Sequence, residues 1–95
     1  MSTEKLPMVA GIFKILGDET RIRLLWVLMN GEKCVVDLAK AIGMSESAVS
    51  HQLKELRLAG LVSPKRDGKR IYYSLKSNSV RKVILNIYDA LDTVY

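Results

Sequence analysis

Ser47, Ser50, His51 and Lys54 recur at helical spacing and, at about 100° per residue, fall within about 100° of arc on one helix face. Two short hydroxyls that donate and accept, one imidazole and one lysine near a helix N-terminus suit contacts to base edges and phosphates in a DNA major groove. The other reading of this face is an ordinary solvated polar stripe. Ser45 precedes it as an N-cap. Glu46 favours the positive end of the helix through the macrodipole; acceptance from a cytosine amino group is its second reading. A second group follows, in which Lys65 and Arg66 stand before Asp67-Gly68 and Lys69 and Arg70 after it. Four cations around a tight turn form a grip for the phosphate backbone or an adjacent minor groove.

Nothing here assembles a catalytic pair. The chain has one histidine and one cysteine, far apart, and no Gly-rich phosphate loop or clustered acid and base, so an enzyme is not expected. A lone Cys34 also excludes an internal disulfide and a self-contained CxxC metal knuckle. No cofactor is expected.

These residues need elements to hold them. Pro7 suits a first turn, and Met8, Ile12, Phe13, Ile15 and Leu16 space out a helix ending near Gly17. Asp18 is an N-cap for a second helix, with Ile22, Leu25, Trp26 and Met29 on one face, Leu24, Val27 and Leu28 widening it, and Asn30-Gly31 closing it. A third helix is expected over Val35–Ile42, with Leu38, Ala41 and Ile42 inward and Gly43 as its stop. The fourth runs from about Glu46 to Ala59, with Val49, Leu53 and Leu56 opposite the polar stripe. Leu58 fits the stripe poorly. Leu61–Ser63 and Ile71–Leu75 read as strands joined by a two-residue turn at Asp67-Gly68, with Pro64 marking the first as an edge strand. A last helix over Asn78–Val94 carries Val80, Val83, Ile84, Ile87, Leu91 and Val94, a stripe wider than a small monomer's core requires. With Ile12 and Ile15 of the first helix it is expected to form a dimer interface. The fold class is mainly α (α+β), a winged helix-turn-helix in the order helix-helix-helix-helix-strand-strand-helix, within a single domain over residues 1–95.

Bulk properties agree. Ninety-five residues make one domain, often completed by a partner subunit. Net charge is +5, yet residues 1–53 balance six basic against six acidic side chains. Residues 54–82 hold nine basic side chains against Glu55 and Asp67, so the excess of +7 lies on one segment, as in a polyanion-binding surface. The longest apolar run, Leu24 to Met29, is far below the ~20 residues of a membrane span. Met1 to Lys5 lack the features of a secretory signal, and the expected compartment is the cytoplasm.

The segments Leu16-Gly17-Asp18-Glu19-Thr20-Arg21-Ile22-Arg23, Glu32 to Leu38, Ser47-Ala48-Val49-Ser50-His51-Gln52-Leu53-Lys54, Leu56 to Val62 and Arg70 to Leu75 together resemble the ArsR/SmtB transcriptional repressors. The resemblance covers nearly the whole chain in order. It implies a winged-helix homodimer, joined through first and last helices, that represses by binding an imperfect inverted repeat and in many members is released by a metal or metalloid ion. The sensing sites match badly. The thiolate site carries Cys-Val-Cys where this chain has Cys34-Val35-Val36, and a soft cation usually requires two or three thiolates. The zinc site of other members uses Asp and His where Ser77, Ser79 and Ala90 stand here. Cys34 therefore has three readings: a small packing residue, a thiol or redox switch, or part of a metal site shared between subunits. Asp89 and Asp92 read as solvated charges rather than hard-cation ligands. The expected partners are double-stranded DNA carrying an inverted repeat and a second copy of the chain, with no membrane and an unidentified effector. The competing reading is a winged helix for protein contact, an antitoxin-like module.

Overall fold

The computed structural model describes residues 2–95; Met1, the first residue of the stretch read for a secretory signal, lies outside the described residues. Helix α1 (Leu6–Leu16) opens with Pro7 in its first turn, where a missing N–H costs nothing. Helix α2 (Glu19–Leu28) starts at Asp18, whose Oδ1 accepts from the Arg21 N–H at 3.1 Å. It stops just ahead of Asn30-Gly31, where Gly31 takes φ +125°. Its buried side is Leu24, Leu25 and Leu28, whereas Trp26 is exposed. The inward stripe is thus rotated from the expected one, because α2 packs against the helices over Val35–Ile42 and Glu46–Leu58, while Trp26 lies against Tyr88, ring centroids 4.9 Å apart.

A two-residue strand, β1 (Lys33–Cys34), precedes α3 (Val35–Ile42) and was not expected, since two residues carry no periodicity. Gly43 closes α3 in the left-handed conformation at φ +69°. Leu38 and Ala39 are buried in α3, while Ala41 is exposed, against expectation. At about 100° per residue, Leu38, Ile42 and Ala39 share one side, and Ala41 lies roughly 60° beyond Leu38 on the other. Helix α4 (Glu46–Leu58) buries Val49, Leu53 and Leu56 as its spacing requires.

Strands β2 (Val62–Asp67) and β3 (Arg70–Leu75) complete an antiparallel sheet of order β1-β3-β2, which puts Pro64 on an edge strand. Both strands are longer than their apolar runs, because the ladder continues through Lys65 opposite Tyr72 and Asp67 opposite Arg70. The two-residue turn is accordingly Gly68-Lys69 rather than Asp67-Gly68, with Gly68 at φ +63°. Helix α5 (Asn78–Val94) docks through Ile84. The core gathers α2, α3 and α4 with Leu61, Val62 and Ile84, and the half-buried Ile12, Ile15, Leu16 and Val80 lean on it.

Candidate nucleic-acid interface

Helix α4 is set by local chemistry at its start. The Ser45 hydroxyl accepts from the Ala48 N–H at 3.1 Å, and Glu46 sits exposed in the first turn, at the positive end of the helix. With Val49, Leu53 and Leu56 pinned in the core, Ser47, Ser50, His51 and Lys54 are all exposed on the opposite side. Leu58, exposed and late in α4, lines a groove with Met8, Ile12 and Ile15 of α1.

The sheet register distributes the wing's cations. Lys65 and Arg70 leave one face of the hairpin, beside Tyr72 and Asp67; Arg66 leaves the other, opposite Ile71; Lys69 lies in the turn. They are spread over the outer rungs rather than crowded at one tip, and all four are exposed. Among the described residues the one ion pair is Arg23–Glu19, so the wing cations have no acidic partner. The wing also approaches the start of α4. Glu46 and Ser50 share a recess of about 250 Å³ with Lys69, Arg70, Ile71, Cys34, Val35 and Val36.

Cys34 lies behind this surface. It is 2% exposed, pairs with Tyr72 across β1 and β3, and its thiol donates to Asp37 Oδ2 at 3.3 Å. Ser77, Ser79 and Ala90 lie exposed on and beside α5, and among the described residues no three His, Cys, Asp or Glu side chains converge. Of the expected dimer residues, Val83, Ile87 and Leu91 are exposed, Ile12, Ile15 and Val80 are half-buried, and Ile84 is in the chain's own core. Arg81 is half-buried and donates to the Met29 carbonyl at 3.3 Å, tying α5 to the end of α2 instead of joining the basic surface.

Sequence reasoning passed over Gln52. Its Oε1 accepts from Arg21 Nε at 2.8 Å, linking α4 to the first turn of α2 across 31 residues. No periodicity or cap could have signalled a pairing at that separation.

Residues 18–63 match the family model described as bacterial regulatory protein, arsR family. A transcriptional repressor SmtB homolog of Synechocystis is 44% identical over 91 residues, covering 96% of this chain and 69% of the relative. The HTH-type transcriptional regulator KmtR of Mycobacterium tuberculosis is 36% identical, covering 87% of this chain and 64% of its own. The chain thus spans about two thirds of the length of these curated relatives, 69% and 64%. Among solved structures, a homodimeric winged helix-turn-helix DNA-binding domain from Mycobacterium bovis superposes with TM-score 0.89 at 32% identity, covering 97% of this chain and 88% of that one.

Proposed function

This chain belongs to the arsR family of bacterial regulatory proteins, and on that premise we propose that it is a sequence-specific transcriptional repressor that grips an inverted-repeat operator as a homodimer. The observation that carries this reading is the shared exposure of Ser47, Ser50, His51 and Lys54 beside a wing whose Lys65, Arg66, Lys69 and Arg70 are open to solvent. The α4 stripe, with Ser45 and Glu46 at its start, reads base edges, and the wing holds phosphates without regard to sequence. The two relatives named above are regulators, and no catalytic role is assigned.

A second copy is invoked because the monomer leaves much apolar surface open. Val83, Ile87, Leu91 and Val94 of α5 and Leu6, Met8, Val9 and Phe13 of α1 are exposed. The radius of gyration is 14.0 Å, above the about 12 Å of a compact chain this long. Two-fold pairing through α1 and α5, which include Ile12, Ile15, Val80, Val83, Ile87 and Leu91 with Ile84 behind them, covers that surface and places two reading helices on successive major grooves. Such a protein works where the chromosome is, in the cytoplasm.

The donor set fits neither metal site that the family resemblance implies. One thiol followed by Val35 and Val36 offers too few soft ligands, and Ser77, Ser79 and Ala90 offer no imidazole or carboxylate. Burial and the bond to Asp37 support a packing role for Cys34.

Fluorescence anisotropy on duplexes enriched from a randomised pool tests the assignment, with scrambled duplex as control. The expected result is dimeric binding to a two-fold site, with affinity falling steeply as salt rises. Weak binding that is equal on every duplex, with capture of a protein partner, would favour the protein-contact module. Adding zinc, As(III), peroxide and persulfide in turn tests the sensor: release by stoichiometric zinc would refute loss of the metal site, and thiol-specific release abolished by Cys34→Ser would make Cys34 the switch.

A further inference from the structure

We propose that Arg21 is a positioning residue for DNA reading, whose guanidinium sets the reading helix α4 relative to α1, the helix assigned to the dimer. The inference rests on the repressor reading above and deepens it. Arg21 lies in the first turn of α2, where its own N–H is taken by the Asp18 cap at 3.1 Å. Its side chain then reaches two further elements. Nε donates to Gln52 Oε1 of α4 at 2.8 Å, and Nη1 donates to the Ile15 carbonyl of α1 at 3.4 Å.

Each contact has a physical reason. The Ile15 carbonyl is one of the last four of α1, which have no partner within their helix, and a cation at that negative end is favourable. Gln52 offers a neutral acceptor to a charged donor, and both residues are half-buried, where such a bond is stronger than at the surface. Arg23, two residues on, makes only an exposed i,i+4 pair with Glu19. That pair stays within α2 and positions no other element.

The placement of Gln52 separates positioning from contact. At about 100° per residue it lies roughly 140° around α4 from Ser47, away from the stripe that meets DNA. Losing its bond to Arg21 removes no DNA contact but frees α4 to rotate. Base-edge hydrogen bonds tolerate little rotation, whereas long Lys and Arg side chains still reach phosphates. Two-fold sites add a second requirement, since both reading helices must hold a fixed spacing and that spacing passes from α1 to α4 through Arg21.

The test compares wild type, Arg21→Lys, Gln52→Ala and Gln52→Glu on the duplex enriched by the wild-type protein and on its scrambled counterpart. Thermal unfolding and sedimentation are run alongside. For Arg21→Lys and Gln52→Ala, affinity for the enriched duplex is expected to fall about tenfold, while the scrambled duplex changes by less than about twofold. Gln52→Glu, which keeps an acceptor for Arg21, is expected to retain the wild-type ratio between the two duplexes. An equal loss on both duplexes, tracking a fall in melting temperature or dimer content, would mean a merely structural contact and overturn the proposal. Discrimination kept intact by both variants would overturn it alone; a wild-type protein that does not discriminate overturns the repressor reading, and the proposal with it.

Discussion

The Ser45 hydroxyl accepts a hydrogen bond from the Ala48 N–H at 3.1 Å, closing the first turn of the helix that presents Ser47, Ser50, His51 and Lys54. Ser45→Ala removes that acceptor and is expected to cost about 1 kcal/mol of stability. Urea unfolding should report it as a lower midpoint with unchanged slope, and Ser45→Asp, which keeps a capping oxygen, should recover most of the loss.

Wing and reading helix should fail in different ways. Arg66→Ala or Lys69→Ala is expected to weaken binding to every sequence about equally and to reduce the slope of log affinity against log salt by roughly 1. His51→Ala should instead narrow the gap between enriched and scrambled duplex by about 1–3 kcal/mol, the worth of a base-edge contact. Anisotropy titrations at stepped salt separate the two patterns. A loss from Lys69→Ala confined to the enriched duplex would contradict this division.

Leu53 and Leu58 lie on the same helix with opposite fates. Leu53 is fully buried against α2 and α3, so Leu53→Ala is expected to cost about 2–5 kcal/mol. Leu58 is 66% exposed, and Leu58→Ala should change stability by less than about 0.5 kcal/mol. Denaturant melts of the two variants check the contrast.

Gly43 ends α3 at φ +69°, and a Cβ built there meets no atom within 4 Å. The cost of Gly43→Ala is therefore one of backbone conformation alone, about 1 kcal/mol. Because Gly43 also sets the turn into α4, thermal unfolding and operator affinity should fall together.

A dimer that buries the open faces of α1 and α5 has a melting temperature that rises with protein concentration. Val83 is 48% exposed in the single chain and lies outside its buried core, so Val83→Glu disturbs internal packing less than it disturbs the open face. It is expected to abolish the concentration dependence and to give a monomer by sedimentation. Unchanged behaviour would move the interface elsewhere.

What this chain's sequence determined by itself is what lies within a few residues of its cause. Asp18 and Ser45 cap the helices that follow them, Gly43 stops α3, Pro64 lies on an edge strand, and Val49, Leu53 and Leu56 turn inward opposite the polar stripe. Caps, glycine punctuation and apolar period act through bonds closed over three or four residues, so they are legible without a fold. The basic excess of the wing is likewise a property of the segment.

Tertiary structure decided what depends on distant partners. Ladder pairing, not composition, moved the hairpin turn to Gly68-Lys69 and distributed the cations over both faces. Packing of α5 drew Ile84 into the core and turned Arg81 toward the Met29 carbonyl, away from the basic surface. β1 exists only because β3 runs beside it, and that pairing carries Cys34 behind the wing. Arg21 meets Gln52 because α2 and α4 both pack on one core, and no local signal encodes a bond between residues 31 positions apart.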